Sequence, residues 1–165
     1  SLTGPLTGLW SRRGFFAALS SAAVQPACII MADIDHFKQI NDRFGHDAGD
    51  RTIIAVASIL KESALQTTVC GRLGGEEFGI FMPNTPLAAG HAFANALRMG
   101  IEAFNHDALL QGYLVTASFG VCEIANGDTK DGLRRADASL YKAKNGGRNR
   151  VSSDVDLPGM LENAA

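Results

Sequence analysis

The 165 residues are 46% hydrophobic and 19% charged, which suits one globular domain with a real core and excludes a disordered chain. A net charge of −2 excludes a general basic footprint for nucleic acid, so an anionic ligand must be held by local cations or a metal. The longest apolar run, Ala27 to Ala32, is far too short to span a bilayer, and no signal peptide is expected within these residues. A cytoplasmic domain that itself makes no membrane contact is the expectation, whether or not a parent protein is membrane-anchored.

Leu6-Thr7-Gly8-Leu9 is a turn-rich lead-in. Ser11 offers an N-cap for a helix reaching about Ala23, with Phe15, Phe16 and Leu19 on its apolar side, and Gln25-Pro26 breaks it. Ala27 to Ala32 is continuously apolar with β-branched residues, the pattern of a central strand covered on both faces. It ends in Asp33-Ile34-Asp35, and the end of a buried strand is where sheet proteins place ligand chemistry. His36 to Phe44 reads as a short helix stopped by Gly45. Asp47 to about Ala64 reads as a longer one, with Ile53, Val56, Ala57 and Leu60 on its buried stripe.

Thr67 to Leu73 and Phe78 to Met82 are strand-like runs separated by Gly74-Gly75-Glu76-Glu77. Gly-Gly between two such runs is a hairpin signal, because glycine reaches positive φ without a Cβ clash. Thr85-Pro86 starts a helix to about Phe104 that buries Phe93, Leu97, Ile101 and Phe104. Asn105 to Gly112 is loop. Tyr113 to Ile124 alternates as a strand, with Val115, Ala117, Phe119 and Val121 on one face. Asn126 to Asp128 turns into a helix over Thr129 to Asn145, with Leu133, Ala136, Leu140 and Ala143 as its stripe. Gly146-Gly147 stops that helix, Arg150-Val151 begins a last short strand, and the polar tail from Ser152 is expected to be peripheral.

The order αβααββαβαβ predicts an α/β sandwich, with a palm- or ferredoxin-like mixed sheet of about five strands covered by helices. Residues 1–151 are expected to form one domain, followed by a tail over 152–165. The chain starts at Ser1 without a Met and enters a motif at once, the look of a piece of a longer protein. Cys28, Cys70 and Cys122 lie in apolar runs with no C-x-x-C, so buried thiols are expected rather than ligands or disulfides.

In such a sheet the hairpin tip lies beside the end of the central strand, which brings Glu76 and Glu77 to Asp33 and Asp35. Clustered carboxylates repel unless a cation neutralises them, and Mg2+ binds through one or two carboxylates while taking other ligands from substrate phosphates. The alternatives are a solvated acidic turn at Glu76-Glu77 and helix caps at Asp33 and Asp35. Lys38 and the amides of His36, Phe37 and Lys38 stand at a helix N-terminus, a phosphate cradle or a merely solvated lysine. Lys144 and Arg148 flank Gly146-Gly147, either complementing a helix dipole or clamping phosphates. Asn41 is a helix-end residue and Asp50 a first-turn dipole partner, or the two are the polar groups that read guanine. An Asp accepts from guanine N1–H and N2–H2, whereas adenine turns a lone pair towards it. His36, His46, His91 and His106 lack metal-ligand spacing, and H-E-x-x-H, G-x-S-x-G and the P-loop pattern are all missing.

Gly74-Gly75-Glu76-Glu77-Phe78 resembles the signature of GGDEF-domain diguanylate cyclases in its GGEEF form. Further blocks fall in the family's order and spacing: Leu6-Thr7-Gly8-Leu9 with Arg12-Arg13, Asp33 to Lys38, Asn41-Asp42, and Gly45-His46 with Gly49-Asp50. Arg72, Ser118 to Val121, and Ala136-Asp137 through Tyr141, Lys144 and Gly147-Arg148-Asn149 complete them. The resemblance spans about residues 6 to 151. It implies condensation of two GTP into cyclic di-GMP with release of two pyrophosphates. Asp33, the Ile34 carbonyl and Glu76 are then implied to hold two Mg2+ or Mn2+. Asn41 and Asp50 are implied to read guanine. Lys38, Lys144 and Arg148 would contact phosphates with the amides of His36 and Phe37, and Gly74 and Gly75 let backbone lie close to nucleotide. Glu77 is implied as an aid to deprotonating the attacking 3′-hydroxyl. Catalysis requires two domains face to face in a homodimer, under an upstream sensor absent from this chain. The alternative is a non-catalytic GTP-binding regulatory module.

Three departures stand out. Gly4 and Ser11 replace the family's usual Asp and Asn where the upstream segment joins, which bears on coupling to a sensor. Leu65-Gln66-Thr67-Thr68 stands where the family's inhibitory product site has R-x-x-D, so no product inhibition through that site is expected.

Overall fold

In the computed structural model, which describes residues 1–22, 26–104, 106, 110–125, 127–155 and 157, strand β1 (Ala27–Ile34) is the middle of a five-stranded sheet. The described elements around it are α1 (Arg12–Ser21), α2 (Phe37–Phe44), α3 (His46–Ser63), β2 (Val69–Gly74) and β3 (Glu77–Pro83). They continue with α4 (Leu87–Ala103), β4 (Ala117–Ile124), α5 (Thr129–Asn145) and β5 (Val151–Ser153). The sheet order is β2-β3-β1-β4-β5, antiparallel except for the β4–β5 pair. This is the expected succession and the expected mixed sheet. The expected helix end at Ala23, Gln25 of the break, Asn105 and part of its loop, Asn126 and Pro158-Gly159 lie outside the described residues.

β1 is buried along its whole length because its two faces serve two cores. Cys28, Ile30, Ala32 and Ile34 pack with residues of α2, α3 and α4. Ala27, Ile29 and Met31 pack with Phe15 and Leu19 of α1 and with Ala136 and Leu140 of α5. This strict alternation at period two makes a run with no polar gap the right sequence for a central strand. The three cysteines are free and buried, and burial is the largest cause raising Cys28 to about 12 and Cys70 and Cys122 to about 11, so they rest as thiols.

Helix α5 lies directly on β4 at Gly120. A Cβ there would stand 2.1 Å from Ala136 O and 2.2 Å from Leu140 N, so only glycine permits the approach. That contact carries the C-terminal turn of α5, with Lys144, to the end of β1.

Local expectations differ in five places. β4 begins at Ala117, not Tyr113, because its partner β1 ends at Ile34, opposite Ala117, and the chain turns into α2 after a single further bond from Asp35 N to Thr116 O. Likewise β2 begins at Val69, since Thr68 N turns back to Leu65 O at 3.0 Å. Phe104 is 46% exposed rather than core, because α4 stops at Ala103 and the chain goes extended there. Thr85 does not cap α4. Its hydroxyl donates to Pro83 O, and Glu123 of β4 accepts the Leu87 amide at 2.6 Å instead. Ser152 and Ser153, expected in the tail, pair with Gly120 and Val121 in β5.

Candidate active site

The β1–β3 ladder ends with Asp33 opposite Glu77. One step on, Ile34 N donates to Glu76 O at 3.2 Å. Register alone therefore brings Asp33, the Ile34 backbone, Glu76 and Glu77 to one spot. The hairpin turn is fixed from behind by Arg72, whose Nε donates to Gly75 O at 2.9 Å while its amide donates to Trp10 O at 2.9 Å. Gly75 holds φ 44, and a Cβ at Gly74 or Gly75 would meet nothing within 4 Å, so backbone is open to a ligand there.

Asp33 is 7% exposed, and its Oδ2 accepts from Lys144 Nζ at 2.7 Å. Lys144 was expected at phosphates; its ammonium lies on a carboxylate expected to bind metal. Burial pushes the Asp33 carboxyl up to about 6; Lys144 pulls it down, while Glu76 and Glu77 push it further up. One ammonium does not balance this cluster. Two carboxylates and a carbonyl form a hard-oxygen donor set that leaves positions for substrate, so the residues fit Mg2+ or Mn2+. Among the described residues no three His, Cys, Asp or Glu side chains are gathered so as to hold a metal ion by themselves, so the remaining ligands must come from backbone, water or substrate.

Helix α2 starts at this same strand end. His36 is its N-cap at φ 53, and the first helical bonds run from Gln39 N and Ile40 N to His36 O. The amides of His36, Phe37 and Lys38 thus stand ahead of the ladder at the positive end of the dipole. The Lys38 side chain is not with them: it is 89% exposed and pairs with Asp42 one turn on at 2.8 Å. So exposed a pair holds weakly and leaves the lysine free to swing.

Only Gly45 separates α2 from α3, which folds the last turn of α2 onto the first turn of α3. There Asn41 Oδ1 is buried with no hydrogen-bond partner, and a Cβ on Gly49 would lie 1.9 Å from it. A buried amide oxygen without a donor fits a ligand that supplies one. Asp50 follows at once, exposed and in no described ion pair.

Asp35 joins none of this. It does not cap α2, which has no side-chain cap; its carboxylate takes Thr116 Oγ1, Ser118 Oγ and Asn149 N. Arg148, at φ 63, is exposed and pairs with no described carboxylate.

Residues 1–150 match the family model described as diguanylate cyclase, GGDEF domain. The chain belongs to the GGDEF family. It is 41% identical over 157 residues to the diguanylate cyclase VdcA of Vibrio cholerae, covering 92% of this chain and 46% of that protein. The chain thus spans less than half the length of that relative. The GGDEF domain of DgcB from Caulobacter crescentus, solved in complex with c-di-GMP, superposes with a TM-score of 0.85 at 31% identity, covering 93% of this chain and 95% of that one. The active GGEEF domain of a diguanylate cyclase from Vibrio cholerae gives 0.73 at 35% identity, covering 88% and 93%.

In this GGDEF domain the sequence reading assigned no role to Arg72, Gly49, Thr116, Ser118 or Asn149. Ser118 carried a signal, as a polar residue between apolar neighbours inside a strand. No described helix is long and apolar enough to cross a membrane.

Proposed function

We propose that this domain condenses two GTP into cyclic di-GMP and two pyrophosphates at the face shared by two copies of the domain. The carrying observation is the pairing of Asp33 with Glu77 and of Ile34 N with Glu76 O, which gathers the acids at the N-terminus of α2. Asp33, the Ile34 carbonyl and Glu76 would hold two divalent cations. Those ions supply neutralisation of the triphosphate and activation of the attacking hydroxyl. The amides of His36 and Phe37 cradle phosphates, and Lys38 leaves Asp42 to join them. Lys144 exchanges Asp33 for a phosphate oxygen, and Arg148 reaches the same phosphates. Asn41 and Asp50 select guanine, Asp50 accepting from N1–H and N2–H2. Gly74 and Gly75 let the hairpin backbone lie against the nucleotide. Glu77 helps take the proton from the 3′-hydroxyl as it attacks the α-phosphorus of the opposed GTP. The bond from that phosphorus to the bridging oxygen breaks, pyrophosphate leaves, and a second such step closes the ring.

The partner is a second copy of the domain, because each copy binds one GTP and neither can cyclise it alone. The domain, with its sheet running through Ser153, acts as the catalytic unit in a cytoplasmic compartment, under an upstream sensor. Leu65, 68% exposed, stands with Gln66 and Thr68 beside a cavity of about 470 Å3, and Leu65–Thr68 supplies no Arg–Asp pair for product inhibition.

The test is GTP with Mg2+, product identified by mass spectrometry, on the wild type and Glu76→Ala. Wild type makes cyclic di-GMP and the variant is slower by roughly 10³-fold, about 4 kcal/mol of transition-state stabilisation. Binding of GTP by both with product from neither would make this a nucleotide-binding regulatory module instead.

A further inference from the structure

We propose that Asp35 is a positioning residue whose buried carboxylate holds the left-handed loop that presents Arg148 to the nucleotide phosphates. The proposal rests on the reading that Arg148 contacts substrate phosphate.

Asp35 follows β1 two residues beyond Asp33 and is 4% exposed. Oδ1 accepts from Ser118 Oγ at 2.7 Å; Oδ2 accepts from Thr116 Oγ1 at 2.7 Å and from the Asn149 amide at 3.0 Å. Its own amide donates to Thr116 O at 2.9 Å. A carboxylate buried this deeply is costly unless its lone pairs are filled, and here three donors fill them. Two of those donors aim the carboxylate. The third is the loop.

That loop needs holding. Gly147, Arg148 and Asn149 have φ of 120, 63 and 46 in succession, and left-handed backbone is disfavoured for residues that carry a Cβ. Asn149 is pinned at both ends. Its amide is on Asp35, its Oδ1 accepts from Arg98 Nη1 at 3.1 Å, and its Nδ2 donates to Glu102 of α4. Arg148 sits one residue before this anchor. Its amide donates to Ala143 O at 3.1 Å and its carbonyl accepts from Arg150 Nε at 3.0 Å. The backbone of Arg148 is therefore fixed while its guanidinium is exposed, the arrangement of a cation set in place before its ligand arrives. The same carboxylate extends from the strand that carries Asp33. Asp35 thus ties the anion-binding loop to the acid cluster across 114 residues of chain.

The experiment measures binding of 3′-deoxy-GTP, which cannot react, and of guanosine, which has no phosphates, by NMR titration with Mg2+. The proteins are wild type, Asp35→Asn, Arg148→Ala and the double variant. Asp35→Asn puts an amide nitrogen where an acceptor oxygen stood. It is expected to weaken 3′-deoxy-GTP about tenfold and leave guanosine within about twofold, and the double variant should bind no more weakly than Arg148→Ala alone. A merely structural role would weaken both ligands together. If Arg148→Ala lowers the 3′-deoxy-GTP to guanosine ratio and Asp35→Asn does not, Asp35 does not position the loop. If Arg148→Ala itself leaves the ratio unchanged, the phosphate reading of Arg148 fails and the proposal falls with it. Should Asp35→Asn not fold, Ser118→Ala removes a donor that aims the carboxylate while leaving the carboxylate itself in place. The same selective loss is then expected, and an unchanged ratio overturns the proposal.

Discussion

The acid cluster and the loop over Gly147–Asn149 meet at the end of β1, yet they are built by different means. Asp33 and Glu77 are placed by a ladder: once β1 and β3 pair in register, their positions follow from backbone hydrogen bonds alone. The loop over Gly147–Asn149 belongs to no ladder, and its left-handed backbone is held by the side chain of Asp35, just past β1, and by side chains of α4. A site part built by register tolerates side-chain changes around it. A part built by side-chain braces depends on each of them.

The glycines test this contrast most strongly. Gly120→Val pushes α5, and so Lys144 and the loop after it, off β4, and a loss of about 3 kcal/mol in denaturant unfolding is expected. Gly74→Ala on the register-built side meets open space and should leave stability within about 0.5 kcal/mol, its effect showing only in nucleotide turnover. Equal stability losses would erase the distinction. The α2–α3 joint is a third case, aligned by helix packing. Asp50→Asn should lower the preference for GTP over ATP in competition binding by roughly 10²-fold, with stability little changed. An unchanged preference would remove Asp50 from base recognition.

A smaller effect concerns pH. Asp33 is raised to about 6 from an ordinary 3.8. An acid with a raised folded pKa favours the fold while protonated, so its contribution is full below about pH 4 and is lost as pH rises through about 6. The proposed divalent-cation binding at Asp33 has the opposite sign, since it needs the carboxylate and weakens as pH falls through about 6. Melting temperature from pH 4 to 7 should carry a small downward slope that Asp33→Asn removes. A slope unchanged in that variant would assign it to another group.

How much was legible follows the same division. The order of the described elements, the doubly covered β1 and the meeting of the hairpin with its end were readable because they depend on local patterns: an unbroken apolar run, Gly-Gly between strands, stripes at helical spacing. Features that were misread or seen only in part depended on distant partners. Thr85 looked like a cap because the alternative, Glu123, lies 36 residues from Leu87. Tyr113 to Thr116 looked like strand because nothing local reveals where β1 stops. Lys144 was assigned to phosphates without its contact with Asp33, 111 residues away. Asp35 was grouped with Asp33 by proximity in sequence, whereas its partners place it behind the loop.

The most direct measurement is the initial rate of cyclic di-GMP formation, identified by mass, as the concentration of the domain is varied. A site that supplies half of a two-substrate centre predicts cyclic di-GMP as product, with a rate per domain that rises with concentration before levelling. Saturated GTP binding with no cyclic di-GMP at any concentration would contradict it.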